Sequence, residues 1–420
     1  MPLKGWGKMR LQKTKALAAV AIASTFVALA IPTVSSAGGT VSIATFNPNY
    51  TTMADLTAIT AAGHGGIGVI LPDEVSSARY VEFDAPNLTT AFTTAGLLPT
   101  DLNVQNALGV DANEISIAEG DIAAKDKVLI MDPLDPTTGV TIEKDAAKAG
   151  VKVIDYDRLT TGKGGSAKYY VSFDNTAVGA LIGSGELSCI TSWKVKNPLV
   201  YVMNGSTSTD NNAVLFAQGY DKVLNAHGYK ASVGGKGNAK TINETGTGTW
   251  TPSVALTDFQ GAYAKNPKIN AVLTPNDENA APIISYLQKK GLKPDTIPFT
   301  GQDATLTGFQ NIISGYQCGT VYKPVWLEAQ TAAALALYLR AGKTPPASLV
   351  NGTTKDPTTG REVPSALLTA TWDTPNLIQS TVVANGVINP VFLCTNVKPA
   401  VAGDASLPTY AADCKKYGIS

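Results

Sequence analysis

Histidine is nearly missing from this chain: among 420 residues only His64 and His227 occur. A histidine-based triad or zinc site therefore has almost nothing to be built from. His64 lies in the Gly-rich turn AAGHGGIG, and His227 stands just before Gly228 where a helical pattern stops, so both are expected at the surface. The patterns GxSxG, HExxH and GxxxxGK[ST] do not occur. The Gly-rich pieces TGKGGS, GGKGN and ETGTGTW lack the strand–turn–helix setting of a phosphate loop and read as loops. No CxxC or Cys/His spacing supports zinc, and neither a metal nor a cofactor is expected. An excess of one charge is also absent, since 33 basic residues balance 33 acidic ones. Nothing in that balance draws the protein to nucleic acid or an anionic membrane. Charged residues make up 16% of a composition that is otherwise globular.

A long apolar run appears once, at the start. Lys4, Lys8, Arg10, Lys13 and Lys15 precede Ala16 to Ile31, a run broken only by Ser24 and Thr25. Ser35 and Ala37 then offer a small-x-small cleavage site before Gly38. Residues 1–37 read as a secretory signal peptide, and the run falls short of the ~20 residues needed to span a bilayer. No Cys follows it for lipid attachment. The mature protein is expected to be exported to the periplasm or the extracellular space, as a monomer with no membrane span. In such a compartment disulfides persist. Cys394 and Cys414 bracket a C-terminal segment and are expected to pair; a loop of about 20 residues contributes roughly 3 kcal/mol in the chain-entropy model. For Cys189 and Cys318, a bridge and two buried thiols both stay open.

Length suggests two or three compact units at ~150 residues each. What the chain does have is six short apolar runs, each closing on an acid or an amide: IGVILPD (67–73), VLIMD (128–132), VKVIDYD (151–157), LVYVMN (199–204), AVLTPND (271–277) and IPFTGQD (297–303). Such runs are the pattern of strands buried on both faces of a parallel sheet. Helical patterns follow most of them, among them 213–224, 278–290 and 326–340. Ligands of open α/β sheets bind beyond the carboxyl ends of the strands, so the polar residues closing these runs are expected to meet in one cleft. The layout of three runs and then three more predicts two α/β lobes. The tail from about 346 is rich in Pro, Thr and Gly and shows no further βαβ unit.

Asp157, Asp277 and Asp303 close three of the runs, with Arg158 beside Asp157 and Lys323 in reach of the same cleft. Neighbouring cations keep a carboxylate ionised, which suits a hydrogen-bond acceptor better than a general acid. Carboxylates accept from sugar hydroxyls, while Arg, Lys and amide groups donate to them. An aromatic side chain can cover the C–H face of a ring. In chemical outline this is a sugar site.

The stretches VIDYDRL (153–159), YYVSFDNTAVG (169–179), TDNNAVLFAQGYDKVL (209–224), NDENAA (276–281), TGQDATLTGFQNIISG (300–315) and TVYKPVWLEAQTAAALAL (320–337) follow one another in a distinctive order. Over about 67–345 the chain resembles the periplasmic D-xylose-binding proteins of sugar ABC transporters, within the type I, ribose/galactose-type binding-protein superfamily. The resemblance implies an α/β fold of two Rossmann-like lobes, joined by three hinge crossings, with sugar held between them. It implies sugar contacts from Arg79 and Tyr80, Arg158, Asp210, Asn211 and Asn212, Trp250, Asn276 and Asp277, Gln302 and Asp303, and Lys323. The stretch EVSSARY matches only loosely, with Tyr80 where the family has Trp, and 85–125 fit poorly. The expected division is an extension at 38–66, a first lobe at 67–174 and 303–345, and a second at 175–302 and 346–420. The expected function is capture of a monosaccharide, D-xylose or a related aldopentose, for an ABC transporter permease, without catalysis. A secreted sugar-active enzyme and a sensor component serving a chemoreceptor or kinase are the alternatives.

Overall fold

The computed structural model describes residues 41–230, 237–395 and 410–420, so the expected leader lies outside the described residues. Strands β1 (Ile67–Leu71), β2 (Leu102–Asn106), β3 (Val128–Met131), β4 (Lys152–Tyr156) and β5 (Tyr169–Phe173) form a parallel sheet in the order β5-β4-β3-β1-β2. β1 and β3 are buried at every position, which is why their sequence is unbroken apolar. β2 is the edge strand and alternates half-buried with exposed positions, so it makes no apolar run. Helices α1 (Thr57–Ala62), α2 (Ala85–Thr94), α3 (Asp111–Ala123) and α4 (Pro136–Ala149) flank this sheet. α4 shows how local chemistry sets an element: Asp135 accepts from the N–H groups of Thr137 and Thr138, Pro136 opens the first turn, and Gly150 ends the helix at φ 78°.

The second lobe holds α5 (Asn175–Ser192), β6 (Val200–Val202), α6 (Asn211–Ala226), β7 (Thr241–Asn243), α7 (Pro252–Lys265), β8 (Ala271–Leu273), α8 (Asp277–Lys289), α9 (Leu306–Ile313) and β9 (Thr320–Tyr322). Its strands run β7-β6-β8 in parallel. Of the six apolar runs, the last makes only single bridges, Val272 to Phe299 and Gln302 to Val321. Those bridges carry the sheet from β8 to β9. α5 and α6 pack so closely that a Cβ on Gly179 or Gly219 would strike the backbone of the partner helix.

The last part of the chain returns to both lobes. α10 (Val325–Arg340) packs its alanine face into the first-lobe core. β10 (Gly352–Lys355) and β11 (Glu362–Leu368) extend the first sheet beside β5, whereas β12 (Thr371–Asp373) pairs with β9. The chain therefore crosses between lobes three times: from β5 to α5, from β9 to α10, and from β11 to β12. This corrects the expected division. Residues 303–322 pair with the second lobe and 352–368 with the first, because strand pairing, absent from any βαβ pattern, decides membership. The segment before β1 is also no mere lead-in, since Phe46, Tyr50, Met53 and Leu56 are buried in the first-lobe core. Beyond β12, α11 (Pro390–Thr395) and α12 (Ala411–Lys416) pack with α9 around Phe309, Ile313, Ile378 and Leu393.

Cys394 and Cys414 pair as expected, and Cys189 bonds Cys318, settling the open pair. The second bridge ties α5 to the residue region just before β9 across 129 residues of sequence. Replacing Cys189 and Cys318 by Ser is expected to lower unfolding stability by about 2–5 kcal/mol, read as a lower urea midpoint at constant slope; an unchanged midpoint would show the bridge contributes nothing.

Candidate ligand-binding site

At the carboxyl ends of both sheets lies a half-open cavity of about 300 Å³, counting the solvent at its mouth. The first lobe supplies Ser76 and Ser77 after β1, Arg79 and Tyr80, and Asp157 and Arg158 after β4. The second supplies Asp210, Asn212 and Phe216 from the start of α6, Trp250 before α7, Asn276 after β8, and Gln302 and Asp303. Lys323 comes from the crossing between β9 and α10. Tyr80 opens a single π-helical turn, Tyr80–Asp84, a feature concentrated at functional sites.

Two of the strand-end acids line the cavity, Asp157 and Asp303. Both have left-handed backbones, at φ 54° and 88°, a strained state for non-glycine residues that clusters at ligand clamps. The carbonyl oxygen of Asp157 accepts from Tyr170 Oη at 2.8 Å, Ser172 Oγ at 2.7 Å and Asn212 Nδ2 at 2.8 Å. These bonds hold its side chain toward the cavity. Of the other run-closing residues, Asp73 caps its own turn through the N–H groups of Val75 and Ser76. Asn204 accepts from Tyr220 Oη. Asp132 is buried behind Arg158, 3.6 Å from its Nε.

The cavity wall carries three cations and three carboxylates. Arg79 grips Asp84 with Nε and Nη2 (2.8 and 2.7 Å), Glu328 with Nη2 (2.7 Å) and Asp157 with Nη1 (3.0 Å). Tyr80 Oη donates to Asp157 at 3.1 Å and accepts from Arg158 Nη2 at 3.2 Å. Arg158 Nε lies 3.4 Å from Asp210 Oδ2, which also accepts from Trp250 Nε1 at 3.1 Å. Lys323 Nζ pairs with Asp303 at 2.8 Å. Burial alone would raise the Asp157 pKa, but Arg79, then Lys323 and Arg158, outweigh it and hold the group at about 2. For Asp210 burial wins over Arg158, and its pKa is raised. Among the described residues, three buried atoms on the wall have no hydrogen-bond partner: Asp303 Oδ1, which is ion-paired with Lys323, and Gln302 Oε1 and Arg158 Nε, which stand ready for a polar ligand.

The lobes touch directly around the cavity. Asn276 Nδ2 donates to the Ser76 carbonyl at 2.7 Å, Ser77 Oγ to Asp303 at 2.7 Å, and the Ala78 N–H to Glu278 at 3.2 Å. This is a closed arrangement, with first-lobe loops clasped by the second lobe. Trp250 and Phe216 meet edge to face, ring centres 6.4 Å apart, and form the apolar side of the cavity.

Ten expected contacts meet here: Arg79, Tyr80, Arg158, Asp210, Asn212, Trp250, Asn276, Gln302, Asp303 and Lys323. Two do not. Asn211 opens α6 and faces grooves outside the cavity, because Asp210, not Asn211, caps that helix by accepting from the Asn212 N–H. Asp277 turns its carboxylate into the protein, accepting from Gln317 Nε2 (2.7 Å), Thr320 Oγ1 (2.9 Å) and the Thr305 N–H (3.0 Å). Burial lifts its pKa to about 7. It braces the loop that carries Gln302 and Asp303 rather than reaching a ligand. Ser76, Ser77 and Phe216 line the cavity beyond the expected residues, and so does Asp157, which the strand-end pattern offered as an acceptor but the resemblance did not imply. Phe216 was within reach of the sequence, one helical turn after Asn212 on the same face; the serines follow β1 with no signal of their own.

The depressed pKa of Asp157 sets a pH test. Its folded value, about 2, lies below the ordinary aspartate value of 3.8, so its ionisation stabilises the fold above about pH 4 and this contribution fades as pH falls from 4 to 2. Asp157→Asn is expected to lose about 2 kcal/mol relative to the parent at pH 6, with the gap closing toward pH 2, as followed by urea unfolding at each pH. A gap independent of pH would refute the ionised pairing.

A profile of the periplasmic binding protein domain family matches residues 67–344. The D-xylose-binding periplasmic protein of Escherichia coli (strain K12) is 34% identical over 286 residues, spanning 67% of this chain and 80% of that protein. The multiple sugar-binding periplasmic receptor ChvE of Rhizobium radiobacter is 31% identical over 293 residues, 68% and 80% of the two chains. Among solved structures, a carbohydrate transporter solute-binding protein from Chloroflexus aurantiacus in complex with D-glucose superposes with a TM-score of 0.65 at 26% identity, covering 77% of this chain and 96% of that one. With two lobes, three crossings and a polar cavity at the strand ends, the chain belongs to the type I sugar-binding members of the periplasmic binding protein family.

Proposed function

We propose that this protein captures an uncharged monosaccharide, D-xylose or a related aldopentose, between its lobes and delivers it to the permease of an ABC transporter, without changing it chemically. The observation that carries this reading is the balance of the cavity wall. Each carboxylate on the wall meets a cation of the wall: Asp157 meets Arg79, which also holds Asp84 and Glu328 outside the cavity lining, Asp210 meets Arg158, and Asp303 meets Lys323. A wall neutral in sum favours a neutral ligand. Its paired ions and amides match hydroxyl groups, each donor and acceptor at once. Trp250, Phe216 and Tyr80 supply apolar surface for the C–H face of a ring. The relatives named for D-xylose and for multiple sugars support the ligand class.

Charge-assisted hydrogen bonds contribute about 1.5–3 kcal/mol each. A few of them, with one stacked ring, reach micromolar affinity, near −8 kcal/mol, after the ordering cost of closure. Sugar favours the closed form because its contacts come from both lobes. Paired carboxylates of this kind accept hydrogen bonds; they are poorly suited to deliver a proton to a glycosidic oxygen.

Asp303→Ala leaves Lys323 buried without its counter-ion. Calorimetry with D-xylose is expected to show affinity weakened by about 1–3 kcal/mol or more. Unchanged affinity would remove Asp303 from the site. A thermal-shift panel of pentoses and hexoses should show a raised melting temperature with at least one pentose, and product analysis after incubation with pentosides should show no turnover.

A further inference from the structure

Asp132 directly follows β3 and is 0% exposed, one layer behind the cavity wall. Among the described residues, neither of its carboxyl oxygens has a hydrogen-bond partner. Burial outweighs the nearby Arg158 guanidinium and pushes its pKa well above the ordinary aspartate range. A buried acid without partners is costly where it stands. The closed arrangement therefore gains little from the charge of Asp132.

Arg158 stands between two acids. Its Nε lies 3.4 Å from Asp210 Oδ2 and 3.6 Å from Asp132 Oδ1, and it hydrogen-bonds neither. The two acids belong to different lobes. Asp132 is fixed in the first, where its N–H donates to the Ile70 carbonyl at 3.0 Å and the Leu134 N–H donates to Glu114 Oε2 at 3.1 Å. Asp210 is fixed in the second, where its carboxylate accepts from the Asn212 N–H at 2.8 Å and from Trp250 Nε1 at 3.1 Å. Arg158 itself follows β4, the neighbour of β3, and its Nη1 points to the Pro133 carbonyl at 3.5 Å, beside Asp132. When the lobes part, Asp210 leaves with α6 and Trp250, whereas Asp132 stays with Arg158. The other first-lobe acids nearby are engaged: Asp157 by Arg79 and Tyr80, and Glu114 by the Leu134 N–H.

We propose that Asp132 is a positioning residue of the open form: once the lobes part it takes over Arg158 from Asp210, and the pair it makes there sets how readily the protein closes on its ligand. The inference rests on the reading above, in which the lobes close over a sugar. Two acids compete for one guanidinium, so closure must give up the Asp132 pair to make the Asp210 pair. The apparent affinity for sugar is lowered by the fraction of protein that this pair holds open. Asp132 touches no ligand and acts only through Arg158.

The test compares the full mature chain with Asp132→Asn, which keeps the shape and removes the charge. Asp132→Leu, also neutral and near in size, serves if the first variant does not fold. Small-angle scattering without sugar is expected to give a smaller radius of gyration for the variant than for the parent. Calorimetry with D-xylose is expected to give a Kd tightened by about tenfold, with slower sugar release by stopped flow. A merely structural role would leave the affinity unchanged or weaken it and would not compact the sugar-free protein; either result overturns this inference alone. A sugar-free parent already as compact as the sugar-bound one overturns it too. Binding of no pentose or hexose by the parent overturns the sugar-binding reading, and scattering of the two sugar-free proteins then still decides whether Asp132 holds the lobes apart.

Discussion

Arg79, buried to 1% exposure, holds Asp84, Glu328 and Asp157 at once. An ion out of water costs several kcal/mol unless partners replace its hydration. Here the replacement is mutual: Arg79 bonds three carboxylates, Tyr156 Oη donates to Asp84 at 2.6 Å, and Tyr80 bridges Asp157 to Arg158. Nothing about stability demands such a lattice, since a well-packed apolar core of the same volume does as well or better. Its presence at the carboxyl ends of two sheets makes sense as a rigid frame that presents acceptors and donors at fixed points. Arg79 itself spends most of its donors on this frame, so its main part is to position Asp157.

The same residues join the two lobes. Lys323 lies in the second crossing, and Ser172, which holds the Asp157 carbonyl, lies on β5 beside the first. Asn212 reaches that carbonyl from the opposite lobe. Glu328, on the first turn of α10, follows directly after the crossing. A ligand bonded to Asp157, Asp303 and Lys323 therefore pulls on the segments about which the lobes turn, and recognition and closure rest on one set of bonds.

Much of this was legible in the sequence. Strands buried on both faces announce themselves as apolar runs, and Asp157, Asn276 and Asp303 follow those runs at the expected ends. Other parts left no trace. β2 is an edge strand with alternating exposure, and β11 pairs with β5 across a register that sets Ser365 against Tyr170, a long-range choice that local pattern cannot carry. Asp277 looks like Asp303 in sequence, each the acid after a strand end; only the turn of the backbone decides that one braces a loop and the other faces the cavity. Ser76 and Ser77 matter through where their loop meets the second lobe, a property of closure rather than of residue type.

The central claim is that paired ions from both lobes grip the hydroxyls of a neutral sugar while Trp250 covers its apolar face. A crystal structure of the protein grown with saturating D-xylose tests it most directly. The account predicts density for one ring between the lobes, with hydroxyls bonded to Arg158, Asp303 and Lys323 and its C–H face on Trp250. A cleft without sugar at saturation, or a ring bound away from these residues, would contradict it.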